Sequence, residues 1–187
     1  WAVYFYFISS LGLFAIGPIS AKLGPGHFLY PSSIEFFMHF QFNGWHMLTM
    51  LAILFRFLEN KGFEFKFSDF TYTSLIFSVF FTFLPNITHA LPYTSFFVAT
   101  AVGLILQTIA FGIILTSASK KLITIKPKNG FVKKLFMLGF GSLVVKIIIQ
   151  TGAAIPAVAN VAHGNHYFVI GFIHLIMLGA ITFVISS

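Results

Sequence analysis

Apolar residues run through this chain in long stretches broken by short polar or Pro/Gly-rich connectors, without the regular polar face of a soluble helix. Six stretches approach the roughly 20 apolar residues that carry a helix across a bilayer: residues 1–20, 34–58, 67–84, 93–117, 131–151 and 166–187. The third is the shortest of these and is rich in Thr and Ser. The breaks carry turn-forming residues: Gly24, Pro25, Gly26 and Pro31, then residues 60–62, then Pro85 and Pro92, then residues 126–130, then residues 152–165. The predicted fold is all-α, a polytopic membrane protein built as a bundle of about six transmembrane helices in a single domain over residues 1–187. The chain opens at Trp1, without Met or a basic leader, and ends within an apolar run, so it reads as part of a longer protein.

Composition agrees. Of the residues, 58% are hydrophobic, 19% aromatic and 8% charged, and the mean hydropathy is +0.94. A soluble domain carries roughly 25% charged residues, and a chain this apolar cannot clothe itself in polar surface. Cysteine is absent, which excludes disulfides, thiolate metal sites and c-type haem attachment. The net charge of +7 does not point to nucleic acid, because the basic residues gather in two connectors. The second holds Arg56, Lys61 and Lys66, and the fourth holds Lys120, Lys121, Lys126, Lys128, Lys133 and Lys134; the first has only Lys22. The positive-inside rule then sets connectors two and four in the cytoplasm, in a protein expected in the bacterial inner membrane, with the lipid bilayer as its first partner.

On that topology the histidines are one-sided. His27, His89 and His163 fall in outer connectors, His166 opens the sixth stretch, and His39, His46 and His174 lie within the second and sixth stretches, counted inward from the outer side. At about 1.5 Å per residue, His39 lies about 8 Å deep, His46 about 18 Å and His174 about 12 Å. His39 and His46, seven residues apart, are predicted to share a helix face, and Glu35 joins that stripe. Ionisable groups within spans face a bundle interior or a cavity. Lys146 and Gln150 form a second polar face on the fifth stretch. A buried lysine needs a partner, and Glu35, the one acidic residue on the outer side, is the expected one.

Neutral imidazole is the commonest metal ligand, and two histidines from different helices can hold haem iron axially. The expected site is a haem b near the outer face, with His39 or His46 as one ligand and His174 as the other. Gly44, Gly171 and Gly179 would let a flat macrocycle or a neighbouring helix come close. His163 and His166 are a second donor pair for copper or another metal, although two histidines do not complete a metal site. The bland alternative is that these histidines serve as interhelical hydrogen-bonding residues. A transporter or channel for protons, metal ions or a small solute, lined by Glu35, His39, His46, Lys146 and His174, is the competing class of function, and a non-catalytic subunit of a larger complex is a third.

The run HFQFNGWH from His39 to His46, VAHGNHYF from Val161 and IHLIMLG from Ile173 resemble the histidine-bearing helices of haem–copper oxidase catalytic subunits and of NnrS-like membrane proteins. The resemblance implies a low-spin haem held between an early and a late helix, electron transfer in a respiratory chain and a quinol as electron donor. It covers about a quarter of the chain. There is no adjacent His-His pair, so the copper centre of those oxidases, and with it reduction of oxygen or nitric oxide, is not implied.

Overall fold

The computed structural model describes residues 1–84, 94–124, 130–152, 155, 158 and 165–182. Among the described residues every regular element is helical: α1 (Ala2–Leu23), α2 (Leu29–His39), a π-helix π1 (Phe40–His46), α3 (Met47–Asn60), α4 (Asp69–Phe81), α5 (Thr94–Thr124), α6 (Gly130–Gly152), α7 (His166–His174) and a second π-helix π2 (Leu175–Thr182). Among the described residues three helices are long and apolar enough to cross a membrane: Ala2–Leu23, Thr94–Lys121 and Lys134–Gly152. They correspond to the first, fourth and fifth predicted stretches. Asp69–Phe81 and Tyr167–Thr182 are apolar but shorter. The second stretch lies within the unbroken run α2–π1–α3, where the wider π1 turns interrupt the α-helical ladder. His89 and His163 lie outside the described residues, as does the side chain of His166.

Helix starts follow local chemistry. The Ser68 hydroxyl caps α4 by accepting the Thr71 N–H at 3.3 Å, with Asp69 in the first turn where the helix dipole favours an anion. Helix α7 is opened in the same way by Asn165, whose Oδ1 accepts the Tyr167 N–H at 3.0 Å.

Two apolar clusters hold the helices together. The larger joins Met47, Met50, Leu51 and Leu54 of α3 to Phe111 and Ile114 of α5, Leu143 of α6, and Ile176 and Ala180 of π2. The smaller joins Phe5 of α1, Phe40 of π1, and Val79 and Phe83 at the end of α4. The helix π1 is the hub, touching α1, α4 and π2 as well as its own neighbours α2 and α3. Outward faces remain apolar: Phe14 is 74% exposed and Tyr4 66%. Such rings are stable against lipid tails and not against water.

Candidate functional site

Three of the predicted site histidines lie at the ends of the two π-helices. His39 ends the α-helix that leads into π1, His46 is the last residue of π1, and His174 immediately precedes π2. Helices π1 and π2 are in contact, so the early and late histidine-bearing segments are neighbours. Single-turn π insertions are often found at functional sites because they re-aim side chains within a helix.

Each histidine is held differently. His39 is buried, and its Nε2–H donates to the Val79 carbonyl of α4 at 2.8 Å. Its Nδ1 accepts a long hydrogen bond, 3.5 Å, from the Asn43 amide. A carbonyl can only accept, so the tautomer follows from the partner, and both ring nitrogens of His39 are engaged. His46 is half-buried, and its Nδ1–H donates to the Gln41 carbonyl at 2.8 Å. The exposed His174 does the same toward the Ile170 carbonyl at 2.8 Å. In both, the carbonyl fixes the proton on Nδ1 and leaves the Nε2 lone pair without a protein partner among the described residues, which is the tautomer of a metal-ligating histidine.

The shared face predicted for His39 and His46 is not formed. Seven residues make nearly two whole turns of an α-helix, but π1 fills the interval between them with wider turns. His39 therefore points at α4 while His46 folds back on its own helix, its ring tilted by 49° against that of Trp45 with centroids 4.4 Å apart. His27 holds the start of α2, where its Nδ1 accepts the Leu29 N–H at 3.3 Å.

The predicted Glu35–Lys146 pair is also absent. Glu35 lies half-buried on α2, whereas Lys146 is 0% exposed, with its Nζ 5.4 Å above the centre of the Phe111 ring. Among the described residues the ammonium has no hydrogen-bond partner, and Asn43 Oδ1 and Gln150 Oε1 are likewise buried and unpaired. Helices α2 and α6 do not bring the two charges together, since α6 packs against π2 and α5.

Gly44 and Gly179 serve helix packing. A Cβ on Gly44 would come within 2.7 Å of the Phe5 ring, and one on Gly179 within 2.7 Å of the Ser142 hydroxyl. Each π-helix is thus pinned by a neighbour that packs where a side chain is missing. Gly171 is different, with nothing within 4 Å of where a Cβ would stand.

Two residues not singled out from the sequence matter here. The Ser9 hydroxyl of α1 lies 2.7 Å from Gln41 Oε1 and 2.8 Å from the Tyr6 carbonyl, two acceptors that share its one proton, and the carbonyl of the same Gln41 accepts from His46. Ser9 is thus a positioning residue for His46. Its signal in the sequence is weak: a serine in an apolar helix, where a neighbouring helix is the available partner.

Among the described residues, no three His, Asp or Glu side chains gather to hold a metal ion. Two imidazoles suffice where the bound group brings its own equatorial ligands, as a haem does. No known protein family, curated protein or solved structure matches the chain.

Proposed function

We propose that this chain is a membrane redox protein or respiratory-complex subunit that binds haem b through His46 and His174. One observation carries the reading: two histidines flank contacting π-helices, and each has its Nδ1–H tied to a backbone carbonyl and its Nε2 without a partner among the described residues. The open space at Gly171, one turn before the exposed His174, supports the fit of a flat macrocycle on that face. When bound, haem iron would supply one-electron transfer. The chain's own part is to fix the two imidazoles, through Gln41 and Ile170, and to keep the surroundings apolar. His39 then braces π1 against α4. The full reading has about six spans, the site near the outer face, connectors two and four in the cytoplasm of a bacterial cell, and a quinol or a partner subunit as electron donor.

The test is a reduced-minus-oxidised visible spectrum of the chain purified in mild detergent. The expected result is a sharp b-type band that is lost in His46→Ala and in His174→Ala and retained, with lower protein stability, in His39→Ala. A featureless spectrum with no bound iron would sink the proposal.

A second reading, a transporter or channel for protons, metal ions or a small solute, rests on the buried Lys146 ammonium and two buried amide oxygens that have no hydrogen-bond partner among the described residues. In that case Lys146→Met abolishes uptake into proteoliposomes, and the protein carries no haem band.

A further inference from the structure

The α3–α4 connector and the last turns of α5 border an open pocket of about 250 Å³. It is lined by Glu64, Phe65, Lys66, Phe67, Ser117, Lys120 and Lys121. Glu64–Phe67 and Ser117–Lys121, far apart in sequence, therefore lie side by side.

We propose that this pocket binds a phosphate group, borne by an anionic lipid headgroup or free in solution. The lining holds three lysines against one glutamate, a net positive charge. Among the described residues neither Lys66 nor Lys120 has a carboxylate partner, and both are exposed. Lys121 lies with its Nζ 5.5 Å over the Phe63 ring, which holds its stem against the connector. Ser117 adds a hydroxyl donor. The connector is anchored, because the rings of Phe65 and Phe67 pack on Phe55 of α3 at 5.3 and 5.2 Å, so the concavity does not depend on the lysines. Its volume equals roughly eight waters, at about 30 Å³ each, enough for a phosphate and the alcohol attached to it. Basic pockets between helices on the cytoplasmic side are the usual seats of acidic headgroups. A lysine surplus that served topology alone would have no need of a concave site. The proposal is independent of haem binding.

Native mass spectrometry of the purified chain with phosphatidylglycerol supplied in mild detergent tests it. Lys66→Gln combined with Lys120→Gln should weaken lipid retention roughly 30-fold, from the attraction typical of two interfacial lysines. Lys61→Gln, in the same connector but outside the pocket lining, should leave retention unchanged, and Glu64→Gln should strengthen it. All four positions are exposed, so these variants are expected to fold. Excess inorganic phosphate that displaces the lipid from the wild type locates recognition in the phosphate itself; lipid that resists displacement assigns it to the headgroup with its chains. Equal retention by the wild type and the double variant, with Glu64→Gln also without effect, overturns the proposal.

Discussion

Lys146→Met is expected to stabilise the protein. The ammonium is 0% exposed and unpaired among the described residues, and an unsatisfied buried donor costs about 1–3 kcal/mol, with more for a charged group. The Phe111 ring 5.4 Å below it returns about 0.5–2 kcal/mol through the cation–π interaction. Methionine keeps most of the apolar stem and fills irregular space without a polar head. The balance is a gain of about 1 kcal/mol or more on substitution. The assay is equilibrium unfolding in mixed detergent micelles, followed by helical circular dichroism. Phe111→Leu supplies the internal control. It should cost more in the wild type than in the Lys146→Met background, by the cation–π contribution of about 0.5–2 kcal/mol. If Lys146→Met instead destabilises by more than about 1 kcal/mol, the ammonium is bonded in the folded protein and the reasoning fails. A stabilised variant has the further meaning that the lysine is kept at a cost to stability, as functional polar groups in membrane spans are.

Gly44→Ala should lower stability by about 1–3 kcal/mol through overpacking against Phe5, and should be partly rescued by Phe5→Leu, whereas Gly171→Ala should be near neutral; thermal unfolding in detergent separates the two. Ser9→Ala removes the hydrogen bond to Gln41, should cost about 1 kcal/mol, and should broaden the haem band without abolishing it, as a spectrum of the reduced protein would report. Ser68→Ala removes the α4 cap and should cost about 1 kcal/mol in the same unfolding assay, with no spectral change.

The helical class was legible because it depends on composition and run length, which lipid as a solvent constrains tightly. The nearness of the α3–α4 connector to Ser117, Lys120 and Lys121 of α5 was not legible, since charge bias assigns a side of the membrane and not a contact. Nor was the histidine geometry. The predicted stripe through Glu35, His39 and His46 assumes uniform α-helical turns, and π1 occupies the very residues that separate the two histidines. Nothing in FQFNGWH signals that register change by itself; the long-range contact of Gly44 with Phe5 is a property of the assembled helices. The Glu35–Lys146 pair failed for a related reason. Matching opposite charges by depth ignores which helices touch, and α6 lies against π2 and α5.

That contact pattern bears directly on how a two-histidine site would be held. His46 takes its orientation from the Gln41 carbonyl, and the Gln41 side chain takes its own from Ser9 of α1. Phe5, one turn before Ser9 on the same helix, sits over Gly44 of π1. Docking of α1 therefore fixes both the register of π1 and the aim of its last residue. On the other side, Gly179 of π2 accepts Ser142 of α6, so α6 plays the part for π2 that α1 plays for π1. The two candidate ligands are thus steadied from opposite flanks by helices that carry neither of them, while His39, the most buried of the described histidines, spends both ring nitrogens on holding π1 to α4. A substitution on α1 that loosens Phe5 should consequently disturb His46 before it disturbs His174, a polarity that a shared histidine stripe on one straight helix would not produce.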